Sequence, residues 1–261
     1  MGVEVWPVNT VQFSNHTGYG KWRGATVPVE VVRDVLQGIE DRGLLPTCDG
    51  VLSGYLGEPQ LGEVILDVYR RIKRVNSKAT YCLDPVMGDV GRGFFVRPGI
   101  PEFMRDSALP VATLVTPNQF ELEFLFGSPV RDFETVLAAV RVLQARGPSV
   151  VLVTSLCRAD APKDEIEVVA VDFDSAYVIA TPKLPIAVNG AGDTTAALFY
   201  VHWLRTHSLR IALELTVNAV FAILERTVKD AAHEIQLIAA QDAIATPPKR
   251  FVATPLGGDS G

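Results

Sequence analysis

Residues 51–84, VLSGYLGEPQLGEVILDVYRRIKRVNSKATYCLD, decide the fold. Val51-Leu52 closes a strand at Ser53-Gly54-Tyr55. Leu61, Ile65, Val68 and Ile72 then recur at helical spacing between Glu58 and Val75, and Ala79 to Leu83 is a second short apolar run. Strand, helix and strand in that order form the unit in which a crossover helix covers a parallel pair. The fold class is therefore α/β, with a mostly parallel central sheet and helices on both faces.

The alternation continues outward. Val3 to Val8 reads as a strand, and Pro28 opens a helix with Val31, Val32, Val35, Leu36 and Ile39 on one face, ended by Gly43. Downstream, Asp84 to Gly99 holds Gly88, Gly91, Gly93 and Gly99 and is expected to be an irregular, mobile loop. Leu114-Val115-Thr116 reads as a strand running into a helix from Asn118, and Val150 to Val153 as a strand entered from a helix ending near Gly147. Glu165 to Thr181 forms a hairpin around Asp172-Phe173-Asp174-Ser175, and helix follows from Gly190 almost to Pro247. The last helix, Lys229 to Ala245, carries Ile235, Ile238 and Ala239 on one face and reads as packing. No repeat or linker interrupts the chain, so residues 1–261 are expected to be one domain.

Composition excludes several function classes. Lys+Arg of 24 against Asp+Glu of 30 gives a net charge of −6 over 261 residues, with no basic block to track nucleic acid. No apolar run approaches the roughly 20 residues that span a bilayer. MGVEVWPVNT has no secretory-signal pattern, so a cytoplasmic location is the expectation. Cys48, Cys82 and Cys157 are odd in number and widely spaced, which suits buried reduced thiols. His16, His202, His207 and His233 lack metal-ligand spacing, and the last three fall in predicted helices.

Three constellations carry chemistry. Asn189-Gly190-Ala191-Gly192-Asp193-Thr194-Thr195 opens a helix with small residues, whose free N–H groups and helix dipole make an anion site. Asp193 inside it adds repulsion near a phosphate and is better explained as a group that reaches a substrate hydroxyl to take or orient its proton. The same pattern alone also fits an ordinary helix cap. Leu83-Asp84-Pro85-Val86-Met87-Gly88 and Thr116-Pro117-Asn118-Gln119-Phe120-Glu121 follow successive strands at the edge where open α/β sheets bind ligands. There Asp84, Asn118 and Glu121 can hold magnesium and triphosphate through water, or can simply cap strands and a first helical turn. Together the three constellations supply what in-line phosphoryl transfer requires. A Walker loop, the protein-kinase motif set, a full dinucleotide fingerprint and a Gly-x-Ser-x-Gly elbow are all absent from the sequence.

Gly190 to Asp193 with Asn118-x-x-Glu121 upstream resembles the signature pair of ribokinase-like kinases. Residues 9–24, NTVQFSNHTGYGKWRG, look like the pyridoxal kinase family within that superfamily. Ser53-Gly54-Tyr55-Leu56, Asp84 to Gly88, Thr116-Pro117-Asn118 and Val153-Thr154-Ser155 are similar to family segments in the family order. The resemblance implies a ribokinase-like three-layer sandwich and ATP-dependent phosphorylation of pyridoxal, pyridoxine or pyridoxamine at the 5′-hydroxymethyl group. It implies that Asp193 is the catalytic base and that Gly190, Ala191 and Gly192 form the anion hole. Asp84 and Glu121 would organise Mg2+, while Thr116, Asn118, Thr154 and Ser155 would lie by the nucleotide phosphates of ATP and a monovalent cation such as K+. Thr17, Gly18 and Tyr55 would line the pyridine pocket, and the Asp84 to Gly99 loop would be the lid that excludes water.

The resemblance also implies a further strand and turn ahead of Gly2, so a chain that starts here is expected to lack the family's first strand and one wall of the pocket. Family members are commonly dimers, and a homodimer is expected. Two other functions fit part of the pattern: a hydroxymethylpyrimidine or sugar kinase of the same fold, and an inactive vitamer-binding protein. The long polar Gln12 to Tyr19 stretch favours the vitamer over the first, and Asp193 in its glycine setting argues against the second.

Overall fold

Strands that are apolar on both faces need helices on both faces. A computed structural model describes residues 1–257. Its strands are β1 Val11–Phe13, β2 Gly24–Thr26, β3 Gly50–Ser53, β4 Thr80–Leu83, β5 Gly88–Asp89, β6 Gly93–Phe94, β7 Leu114–Val115, β8 Val150–Leu156, β9 Glu165–Val171, β10 Ala176–Pro182 and β11 Thr254–Pro255. Its α-helices are α1 Val29–Asp41, α2 Pro59–Val75, α3 Ile100–Phe103, α4 Gln119–Phe126, α5 Phe133–Gln144, α6 Ala191–Thr206, α7 Leu209–Lys229 and α8 Gln241–Ala245.

The main sheet runs in the order β11-β10-β9-β8-β7-β4-β3. Strands β3, β4, β7 and β8 pair in parallel, β9 runs against them, and β10, antiparallel to β9, points with them again. Alternate residues face opposite layers, as the pleat requires. Tyr81, Leu83, Val151 and Val153 join the core made with Leu36, Leu61, Ile72, Leu122 and Val140 of α1, α2, α4 and α5. Cys82, Leu114 and Leu152 join the opposite core, with Phe199, Tyr200 and Leu213 of α6 and α7. The three-layer sandwich expected from the sequence is therefore the observed architecture.

A second, two-stranded sheet pairs β1 with β2, antiparallel, and packs Val11 and Thr26 against Gly57 just beyond β3. The polar loop of residues 14–23 is the connection of this hairpin.

Several local expectations are corrected. Val3 to Val8 forms no strand, and Val3 and Val5 are exposed; alternating β-formers make a strand only where a partner backbone accepts their hydrogen bonds. On α1 only Val32 and Leu36 are buried. Val31 and Val35 are exposed, because the apolar arc is wider than the stripe the core covers. The glycine-rich stretch after Asp84 is not irregular throughout: β5 and β6 form a short antiparallel hairpin, with Phe94 packed edge-on against Phe120 and Phe124. Helix is broken at His207, in the left-handed region with φ 49°, where Ser208 caps α7 by accepting from the Ile211 N–H. No helix spans Lys229 to Ala245. Asp230 to Ala240 is irregular, Ala231 takes φ 47°, Ile238 is 85% exposed, and only Gln241–Ala245 is helical. His233 accordingly lies outside any helix. Cys82 is buried, Cys48 half-buried and Cys157 exposed, so the expectation of buried thiols fails for Cys157.

Candidate functional site

The carboxyl ends of the parallel strands are stitched into one edge. Asp84 N–H donates to the Ser53 carbonyl at 2.9 Å, Thr116 N–H to the Leu83 carbonyl at 3.0 Å, and Thr154 N–H to the Pro117 carbonyl at 2.9 Å. Residues 53, 84, 116 and 154 thus stand side by side where β3, β4 and β7 end and β8 bulges. The N-terminus of α6 arrives at the same edge: a Cβ placed on Gly54 would lie 3.7 Å from Asp193 Oδ1.

Asp84 is buried and accepts from the Thr116 hydroxyl at 2.9 Å. Burial, then the charge of Asp193, pushes its pKa up to about 7, and the Thr116 hydrogen bond works against that shift. Glu121 is also buried. Its Oε1 accepts from Met87 N–H at 3.0 Å and its Oε2 from Asn118 N–H at 2.9 Å. Burial, then the charge of Asp84, pushes Glu121 up to about 8, against the pull of those backbone donors. Asn118 is the α4 N-cap, accepting from Glu121 N–H at 3.0 Å in a reciprocal capping box, and its Nδ2 donates to the Gly88 carbonyl at 2.8 Å. The sequence Asn-x-x-Glu therefore builds the local geometry that fixes Glu121 and ties the β5–β6 hairpin to α4.

These two carboxyls fit a divalent cation. Both offer hard oxygen donors in a buried setting, and no Lys or Arg lowers the pKa of either. Among the described residues no cluster of three or more His, Cys, Asp or Glu side chains could enclose an ion, so one held here would keep water or phosphate in its shell.

Gly190 is the N-cap of α6 with φ 90°, a left-handed conformation that favours glycine, and no side chain caps the helix. Thr194 N–H is the first to close an intrahelical bond, to the Gly190 carbonyl at 3.0 Å. The amides of Ala191, Gly192 and Asp193 precede it and carry the positive end of the dipole of a 16-residue helix. A Cβ on Gly192 would meet nothing within 4 Å, so the approach to those amides is open. Asp193, in the first turn, is exposed.

Thr154 and Ser155 sit in a bulge where the β8–β9 register shifts between Val153 and Leu156. Ser155 has φ 52°, a strained backbone of the kind found at functional sites. Thr154 bridges Asn118 across the edge, whereas exposed Ser155 makes no side-chain hydrogen bond among the described residues. Gln119, which the sequence reading passed over, clamps this corner: its Oε1 accepts from Cys157 N–H at 3.0 Å and its Nε2 donates to the Val130 carbonyl at 3.4 Å.

Thr17 and Gly18 lie in a single 3-10 turn, Thr17–Tyr19, capped by His16, whose Nδ1 accepts from Gly18 N–H at 3.0 Å. A Cβ on Gly18 would stand 2.9 Å from His16 Nδ1 and 3.2 Å from Asn189 Oδ1, so the turn seats closely against the His16 and Asn189 side chains. Tyr55 is half-buried beyond β3, and its carbonyl accepts from the Thr10 hydroxyl at 2.8 Å. Among the described residues no hydrogen bond joins Thr17 or Tyr55 to Asp193. The strand-end residues and the α6 turn form one constellation, and the hairpin turn adjoins it through Asn189.

Comparison with known proteins follows the same lines. The family described as phosphomethylpyrimidine kinase matches residues 19–235. Among curated relatives, pyridoxal kinase PdxY of Rubrobacter xylanophilus is 54% identical over 96% of this chain and 87% of its own length. Pyridoxal kinase PdxY of Deinococcus radiodurans is 48% identical over 97% of this chain and 87% of its own length. Among solved structures, a Leishmania donovani pyridoxal kinase in complex with ADP and pyridoxamine aligns with TM-score 0.86 at 24% identity, covering 95% of this chain and 88% of that one.

Proposed function

The chain belongs to the phosphomethylpyrimidine kinase family, and from that premise we propose that it transfers the γ-phosphoryl group of ATP to the 5′-hydroxymethyl of pyridoxal and related B6 vitamers. The observation that carries the reading is the convergence of Asp193 and the open α6 amides with Asp84 at one strand edge. Identity of 45% or more to curated pyridoxal kinases supports this acceptor.

In this reading Asp193 is the catalytic base. It takes the proton of the acceptor hydroxyl as the new P–O bond forms and the bond to the departing ADP breaks. The amides of Ala191, Gly192 and Asp193, turned outward by Gly190, stabilise the charge on the transferred group. Asp84 and Glu121 would hold Mg2+, which when bound would neutralise charge on the triphosphate. The Met87 and Asn118 amides orient Glu121, and the Thr116 hydroxyl orients Asp84. Thr116, Asn118, Thr154 and Ser155 face the nucleotide, and Thr116, Thr154 and Ser155 would hold K+ if an accessory monovalent ion binds. Thr17, Gly18 and Tyr55 line the acceptor pocket, and the β5–β6 hairpin covers the nucleotide. Homodimer assembly and residence in the cytoplasm belong to the same reading.

The family description, phosphomethylpyrimidine kinase, keeps a pyrimidine acceptor in play, and hydroxymethylpyrimidine is the one the sequence pattern also fits. Offering pyridoxal and hydroxymethylpyrimidine at equal concentration with ATP and magnesium decides between them. Predominant pyridoxal 5′-phosphate supports the proposal; predominant pyrimidine phosphate would move the assignment to the second acceptor.

A further inference from the structure

The Thr17–Tyr19 turn is tethered at a point far away in sequence. Its hairpin has strands of only three residues, and a two-stranded hairpin of that size does not hold a fixed position in water by itself. The tip must therefore be held from outside. Tyr19 does this: its hydroxyl donates to Glu234 Oε1 at 2.6 Å and lies 3.3 Å from the His233 carbonyl. The Glu234 carboxylate, first through that hydrogen bond and then with burial and its charge, raises the phenol pKa, while Asn189 on the other side works against the shift.

The segment that supplies Glu234 also touches the anion turn. Ile235 Cγ2 lies 3.5 Å from where a Gly190 Cβ would be, and Ile235 packs with Leu198 of α6 and Ile223 of α7. The segment is anchored to α7, since Gln236 N–H donates to the Thr227 hydroxyl at 3.1 Å and Ala232 N–H to the Thr227 carbonyl at 3.1 Å. One short stretch, residues 233–235, thus grips the hairpin turn with one side chain and backs the Gly190 turn with the next.

We propose that Glu234 is a positioning residue for the acceptor alcohol: through Tyr19 it fixes the Thr17–Tyr19 turn relative to the Gly190–Asp193 turn. This rests on the kinase reading above, in which the first turn lines the vitamer pocket and the second carries the base. The bond is at the surface and adds little to global stability. Its effect falls on local opening of the hairpin and on capture of the vitamer, not of ATP.

The test uses the full chain with Tyr19→Phe, Glu234→Ala and Glu234→Gln, the last keeping an acceptor oxygen. Amide hydrogen exchange over residues 14–23 is expected to speed up in Y19F and E234A and to stay near wild type in E234Q. KM for pyridoxal should rise roughly five- to tenfold in Y19F and E234A with KM for ATP unchanged, and the double variant should be no worse than either single one. Unchanged exchange in Y19F and E234A, equal increases in both KM values, or additive losses in the double variant would overturn the assignment. A wild-type chain that phosphorylates no pyridoxal would instead sink the kinase reading, and the exchange data would still decide the tether.

Discussion

Asp84 and Glu121 are buried carboxyls whose pKa values no cationic partner lowers. Their folded pKa values, about 7 and about 8, stand above the ordinary carboxyl values of 3.8 and 4.5. Between the ordinary and the folded values the native state binds more protons than the unfolded chain, so stability falls as pH rises through that window. The metal-free protein is therefore expected to melt at progressively lower temperature from about pH 5 to about pH 8. Glu121→Gln should flatten that slope, and magnesium should restore most of the loss at the alkaline end if, as proposed, the ionised carboxylates hold it. Thermal melts at stepped pH, with and without magnesium, check this. Asp193 is a separate case, exposed at its helix end and free to meet substrate. Asp193→Asn should lower kcat by about 10²–10⁴-fold while nucleotide affinity, measured by calorimetry, stays near wild type.

The α6 turn acts as a unit because two of its members are glycines for different reasons. Gly190 is needed for its φ of 90°, whereas Gly192 is helical and faces open space. Gly192→Ala is thus expected to leave the melting temperature unchanged or raise it, by up to about 1 kcal/mol of helix propensity, yet to cut kcat/KM by roughly tenfold or more. Melting and steady-state kinetics on one preparation separate the two effects. This turn, the Asn118 capping box and the Asp84 strand end were all legible in the sequence, since each is built from neighbours along the chain. Tyr19, Glu234 and Gln119 were not. Their partners lie across the fold, and Glu234 falls in a stretch whose apolar spacing mimics a helix although Ala231 turns the backbone out of one. Val3 to Val8 misled for the related reason that pairing partners are not encoded in alternation.

At the scale of the molecule, the βαβ alternation was enough to give the sheet, because strands such as Val150–Leu156 are apolar on both faces and only a three-layer arrangement covers them. That arrangement aligns the ends of β3, β4 and β7 with the β8 bulge and delivers α6 to the same edge, which is why residues more than a hundred positions apart share one site. Assembly is a whole-molecule property as well. A homodimer is the expected state, and sedimentation equilibrium should return twice the chain mass, with a single-chain mass counting against it. The most direct test of the account is the formation of pyridoxal 5′-phosphate from pyridoxal, ATP and magnesium, followed together with ADP release. Equal amounts of the two products from the wild-type chain, abolished in Asp193→Asn, is the predicted result; vitamer binding with no phosphorylated product would contradict it.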